Sequence, residues 1–152
     1  MTASDPIVIV GAARTPMGGF QGDLAPVAAP ALGSVVIAAA LEHASLAGDD
    51  IDEVIMGCVL PAGLGQAPAR QASLGAGLPD GARCTTANQM CGPGMNAATM
   101  AHDALSAGSG PVLAAGGFER MSNAPHPLAS SRGGSRMGPG RAPAHMFLDG
   151  PG

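Results

Sequence analysis

Apolar and polar positions alternate along this chain in short blocks whose period changes from one block to the next. Pro6–Val10 (PIVIV) is a continuous apolar run closed by Gly11, which predicts a buried strand. Gly18–Asp23 is rich in turn formers. Leu32, Val35, Val36, Ala39, Ala40 and His43 then repeat at i, i+3, i+4, while Ile37, Leu41 and Ala44 form a second stripe. That pattern predicts a helix with Pro30 in its first turn, covered on much of its circumference and ended by Gly48–Asp50. Glu53–Val59 reads as a second strand, Gly63–Gln66 as a loop and Pro68–Ala76 as a short helix. Arg83–Ala87 reads as a third, less apolar strand. Gly92–Ala107 predicts a third helix with Asp103 as its only full charge, and a helix apolar all round calls for cover on every face. Pro111–Ala115 predicts a fourth strand, stopped by Gly116-Gly117. The order β-α-β-α-β-α-β implies an α/β fold, a mostly parallel sheet with right-handed crossovers and helices on both faces.

Composition narrows the function classes. The chain is 46% hydrophobic and 12% charged, with a net charge of −4. It contains no Trp and no Tyr, and its only aromatics are Phe20, Phe118 and Phe147. Without stacking platforms or a basic face it is not expected to bind nucleic acid. No run is long enough to span a membrane, and the start MTASDPIVIVGAARTP does not read as a signal peptide. Cys58, Cys84 and Cys91 form neither a CxxC pair nor a metal-ligand spacing. An odd count of three suits a reducing compartment, and the cytoplasm is the expectation. Residues 1–116 carry three Arg against nine acids, and residues 117–152 carry four Arg against two. Gly and Pro occupy 12 of those last 36 positions. The expected division is therefore an α/β layer over 1–116 and the start of an irregular loop domain over 117–152.

Chemistry concentrates where the third predicted strand meets the third helix. In a parallel sheet, ligands gather at the carboxyl ends of the strands, and Cys91 stands there, just before Gly92-Pro93-Gly94. A thiolate is the reactive form of cysteine, and a helix N-terminus favours an anion. Glycines on either side of Pro93 would let a substrate approach the backbone, whose N–H groups could hold an oxyanion. This is the logic of a nucleophile elbow with Cys in place of Ser. A small buried cap residue is the bland alternative, and spacing alone favours it. A third reading takes Gly92–Ala97 as a G-x-G-x-x-A dinucleotide fingerprint with Glu119 as the ribose acid, although the polar stretch before it argues against this. No base is identifiable by spacing. His102 lies 11 positions after Cys91 on the same helix, roughly 16 Å away. His43 reads as a helix-surface residue, and His126 and His145 fall in the irregular tail.

Four segments in order resemble the thiolase family. Ala87–Met95 (ANQMCGPGM) resembles its nucleophile segment V-N-x-x-C-G-S-G-[LM], and Ile7–Pro16 with Gly18-Gly19-Phe20 resembles its opening strand and turn. Val54–Arg70 resembles G-x-V-x-x-A-G-x-G-Q-x-P-A-R, and Ala115–Pro125 resembles A-G-G-x-E-x-M-S-x-A-P. The resemblance implies a thiolase-like layered α/β fold and an acyl-CoA C-acyltransferase, with the short-chain, acetoacetyl-CoA-forming branch as the best match. It implies that Cys91 attacks an acyl-CoA thioester, becomes acylated, and contributes its backbone N–H to the oxyanion hole. A second acyl-CoA would then condense to 3-oxoacyl-CoA, or CoA would cleave that product. CoA thioesters are substrates in this scheme, no cofactor and no metal is implied, and the family forms homo-oligomers. The family's later N-E-x-F, G-H-P and C-x-G-G-G motifs do not occur in these 152 residues. On that basis the chain is expected to be the N-terminal portion of such an enzyme and inactive alone, and its third helix, placed by the resemblance between two sheets, is expected to leave an apolar face with Met95, Ala98 and Leu105 uncovered. A non-catalytic association module is the alternative. Pro93 stands where the family has Ser, and Pro111, Arg120 and Pro139 are also unusual for it.

Overall fold

The computed structural model describes residues 6–134 and 137–149. Three five-residue strands form a parallel sheet: β1 (Glu53–Gly57), β2 (Arg83–Ala87) and β3 (Leu113–Gly117), in the order β2-β1-β3. The ladders are in register from end to end, so Gly57 pairs with Ala87 on one side and Gly117 on the other. All three strands therefore end at one level, and the loops that follow them share one edge of the sheet.

Helices α1 (Ala29–Ala44) and α2 (Pro68–Gly75) cover one face, and α3 (Pro93–Ser106) covers the other. The alternation along β1 explains the division. Val54, Met56 and Cys58 point to a core with Ile37, Ala69, Ala72, Leu78 and Phe118. Ile55 points the other way, to Ala97 and Ala101. β1 is the central strand, so both of its faces are buried, as its apolar run requires. Burying Met56 and Val54 contributes about 1.5–3 kcal/mol each. Helix ends follow local chemistry. α1 and α2 each carry Pro in the first turn, and α3 ends at Gly108, whose φ of +79° is open to glycine at no steric cost.

Three sequence expectations need correction. Pro6–Val10 is not a strand: no ladder includes it, and Val8, Ile9 and Val10 are 65%, 90% and 60% exposed. The segment that follows is tied to α1 instead, with His43 Nδ1 2.8 Å from the Ala12 carbonyl oxygen and Gly11 against Ala40 and Ala44. An apolar β-branched run favours extended backbone, but a strand also needs an edge to pair with, and among the described residues it has none. The fourth predicted strand forms two positions later than expected, at Leu113–Gly117 rather than Pro111–Ala115. Pro111 has no N–H for a ladder, and the Val112 N–H is taken by Asp52 Oδ2 at 3.1 Å. α1 buries Ala29, Pro30, Gly33 and, in the second stripe, Ile37 with Leu41 packed beside it, while Val35 and His43 of the first stripe stay exposed, so it is the first stripe that is only partly covered. α3 leaves an apolar face open, as expected: it buries only Ala97 and Ala101, Met95 is 75% exposed and Ala98 is exposed, while Leu105 is half-buried.

Among the described residues no helix is long and apolar enough to cross a membrane, and no group of His, Cys, Asp and Glu could hold a metal ion. Cys58, Cys84 and Cys91 are all free thiols.

Candidate active site

Cys91 sits on the shared edge, in the turn between β2 and α3. Among the described residues it is one of four non-glycine residues with positive φ, at +59°. A left-handed conformation costs an L-residue on the order of 1–2 kcal/mol, and such strain gathers at functional sites. The consequence here is directional. The chain leaves β2, reverses at Met90–Cys91 with the Gly92 N–H bonded to the Gln89 carbonyl at 3.1 Å, and enters α3 at Pro93. The reversal carries Cys91 to the surface, where it is exposed, immediately before the N-terminus of α3. Pro93 fits the first turn but supplies no N–H, so the donors at this end come from Gly94 onward and from the turn itself.

The turn rests on glycines. Gly57, the last residue of β1, lies so close to the first turn of α3 that a methyl group there would come within 2.6 Å of the Gly94 nitrogen and closer still to the Pro93 carbonyl. Gly117, the last residue of β3, lies against Gly94, and a methyl group there would be 3.1 Å from its Cα. Only hydrogen side chains allow the helix start to sit directly on the ends of two strands.

Beyond the last ladder pairs, side chains continue the cross-strand bonding. The Phe118 N–H donates to the Gly57 carbonyl at 3.0 Å and the Cys58 N–H to the Ala87 carbonyl at 2.9 Å. Glu119, two residues past β3, then takes over. Its carboxylate accepts the Val59 N–H at 2.6 Å, the Leu60 N–H at 3.3 Å and the Cys58 thiol at 3.6 Å. From the other side, Asn88, the residue after β2, donates to the Val59 carbonyl at 3.3 Å. Cys58 is fully buried; that burial, then the nearby Glu119 charge and the thiol–carboxylate hydrogen bond, push its pKa up to about 12. Cys58 is therefore a proton-retaining core thiol, in contrast to exposed Cys91.

The other singled-out residues are not gathered here. His102 is exposed and contacts Asp103 at 3.3 Å; His43 is engaged with the Ala12 carbonyl, and buried His145 with Asp149 Oδ2 at 2.8 Å. His126 is exposed. Among the described residues no histidine is hydrogen-bonded to Cys91. The dinucleotide reading loses its acid, because the Glu119 carboxylate is already held by two backbone N–H groups and a thiol. β2, which leads into the glycine turn, is also an edge strand, unlike the first strand of a dinucleotide unit. Buried Arg120 donates to the Val27 carbonyl and borders a hollow of about 390 Å³ beside the first turn of α1, away from Cys91. The sequence shows Gly57, Asn88 and Glu119 inside the family-like segments without a structural role, and it offered Glu119 a role only in the dinucleotide reading that the polar stretch argued against. The available signal was an acid two residues after an apolar strand that ends in two glycines.

The family described as "Thiolase, N-terminal domain" matches residues 7–150. An acetyl-CoA acetyltransferase of Cupriavidus necator is 51% identical over 144 residues, which are 95% of this chain and 37% of that protein. Acetyl-CoA acetyltransferase 2 of Arabidopsis thaliana is 50% identical over 144 residues, 95% of this chain and 36% of its own length. A mitochondrial acetyl-CoA acetyltransferase of Xenopus tropicalis is 49% identical over 132 residues, 87% of this chain and 31% of its own. The chain thus spans about a third of the length of the curated relatives it matches.

Proposed function

We propose, on the premise that this chain belongs to the thiolase family through its N-terminal domain, that it serves acyl transfer from acyl-coenzyme A with Cys91 as the nucleophile. The carrying observation is the elbow. A cysteine at φ +59° stands exposed on the edge where three parallel strands end, against a helix start that two glycines bring onto the sheet. In this reading the Cys91 thiolate attacks the thioester carbonyl carbon, the C–S bond to coenzyme A breaks, and CoA leaves as its thiolate, leaving an S-acyl cysteine. Backbone N–H groups at the start of α3 face the oxygen that becomes negative. The names of the relatives make acetyl-CoA the first donor to try. Condensation with a second acyl-CoA, or thiolysis in reverse, completes the proposed activity. No metal or separate cofactor enters the scheme, and three free thiols suit a reducing compartment such as the cytoplasm. Assembly into homo-oligomers is part of the same proposal, since the apolar outer face of α3 is left uncovered among the described residues.

Condensation requires a positioned base to remove a weakly acidic proton beside a thioester, which typically contributes 10²–10⁴-fold. No histidine among the described residues is bonded to Cys91, so the step assigned to these residues is acylation. The test is incubation of the chain with acetyl-CoA followed by mass spectrometry of its peptides. The expected result is one acetyl group on the peptide holding Cys91, absent in Cys91→Ala, with little or no turnover of acetyl-CoA to acetoacetyl-CoA. Acetylation of Cys84 or Cys58 in place of Cys91, or no acyl transfer at all, would overturn the assignment.

A further inference from the structure

We propose that Glu119 is a positioning residue for the nucleophile turn, acting on Cys91 through Val59 and Asn88. This rests on the reading of Cys91 given above. Beyond Cys58, whose N–H still bonds the Ala87 carbonyl of β2, residues 59 and 60 leave the central strand β1 with no neighbouring strand on either side. On the β3 side their N–H groups are held by one carboxylate, with Val59 N–H at 2.6 Å and Leu60 N–H at 3.3 Å from Glu119. On the β2 side the Val59 carbonyl accepts the Asn88 amide at 3.3 Å. Val59 is thus gripped at both ends of its backbone by side chains from the two flanking strands. Asn88 is three residues before Cys91 and opens the segment that turns into α3.

The order of strengths identifies the anchor. Hydrogen bonds from N–H to an ionised carboxylate are shorter and roughly twice as strong as neutral ones. Val59 and Leu60 are buried, at 7% and 3% exposure, so their N–H groups have no water to fall back on. Asn88 is exposed and its bond is longer. Glu119 therefore fixes where the Val59 carbonyl stands, and that carbonyl fixes Asn88. A second constraint is independent of both: Gly57 packs directly on Pro93 and Gly94. The turn between Asn88 and Gly94 is held at its start by the side-chain clamp and at its finish by backbone contact. Cys91, strained at φ +59°, lies between the two holds.

The experiment compares the chain with Glu119→Gln, Asn88→Ala and the double variant. Glutamine keeps one acceptor oxygen and replaces the other with an NH2 group that opposes a backbone N–H. Three readouts are taken: acetyl transfer to Cys91 from acetyl-CoA, alkylation of Cys91 by iodoacetamide, and amide hydrogen exchange over residues 88–94. Each single variant is expected to slow acetyl transfer about tenfold, since small misplacements of a reacting group are costly. Exchange over 88–94 is expected to rise about tenfold. The double variant should be no worse than the worse single one, because both act along one line of contacts. Ile37→Val, a core change in α1, should lower the melting temperature without moving any of the three readouts. Glu119→Asp, which keeps the charge but withdraws it by one methylene, replaces Glu119→Gln if that variant does not fold. Effects that multiply in the double variant, or a lower melting temperature with unchanged Cys91 kinetics and exchange, would overturn the proposal. If the unaltered chain accepts no acetyl group, the acyl-transfer reading fails, and alkylation and exchange still decide the positioning role.

Discussion

A methyl group at Gly57 tests the packing beneath the Cys91 turn. In Gly57→Ala the added carbon would lie 2.6 Å from the Gly94 nitrogen and nearer to the Pro93 carbonyl. All of these are backbone atoms, so no side chain can rotate away. Either β1 and α3 separate by several tenths of an ångström or the start of α3 tilts. Overpacking of a filled core costs about 1–3 kcal/mol, and contact with backbone on a buried strand places this case at the upper end. Alanine's advantage over glycine in a strand offsets roughly 0.5–1 kcal/mol of it. The net loss is about 2 kcal/mol. For a chain of this length that lowers the melting temperature by about 4–8 °C. Gly117→Ala, with its nearest contact at 3.1 Å, should cost less, about 1 kcal/mol. Gly81→Ala, with nothing within 4 Å and no positive φ, should stay within about 0.5 kcal/mol. Thermal denaturation followed by circular dichroism gives the ranking, and the Cys91 alkylation rate shows whether the turn moves. A Gly57→Ala protein as stable as Gly81→Ala, with unchanged Cys91 reactivity, would refute the claim that close backbone approach sets this turn.

Cys91 should react with iodoacetamide well before Cys84, and Cys84 before fully buried Cys58; labelling of Cys84 ahead of Cys91 would reverse the site assignment. Cys58 also carries a pH signature. Its folded pKa is about 12, whereas an unfolded thiol titrates near 8.5, so between these values the folded state keeps a proton that the unfolded state has lost. Stability should therefore fall as pH rises through that window, by at most about 1.4 kcal/mol per unit, and Cys58→Ala should lack that component. Equal slopes in denaturant titrations of the two proteins would refute it. Limited trypsin digestion is expected to cut first at Arg132, Arg136 or Arg141, in a stretch rich in glycine and proline. Resistance there while residues 6–115 are digested would contradict a boundary near Gly117.

Local pattern was enough for much of this chain. The periods along Leu32–Ala44, Pro68–Ala76 and Gly92–Ala107 located three helices, because an amphipathic or capped segment carries its signal in neighbouring residues. The apolar run Glu53–Val59 located the central strand, whose two buried faces leave no room for polar alternation. The Gly92-Pro93-Gly94 string marked the turn into α3, whereas spacing alone favoured a small buried cap for Cys91, which stands exposed instead. Pairing and proximity were not legible in this way. PIVIV has the composition of a strand but meets no edge among the described residues, and Asp52 delays the strand after Pro111 by taking the Val112 N–H. The open face of α3 was expected from the family resemblance and not from the helix's own residues, which carry no information about their neighbours. Glu119, Asn88 and Gly57 are separated by as many as 62 positions, and what they do depends on three parallel strands ending at one level. Residue type and spacing set which segments coil or extend; the register of the sheet alone decides which distant carboxylate, amide and glycine meet beneath the turn that carries Cys91.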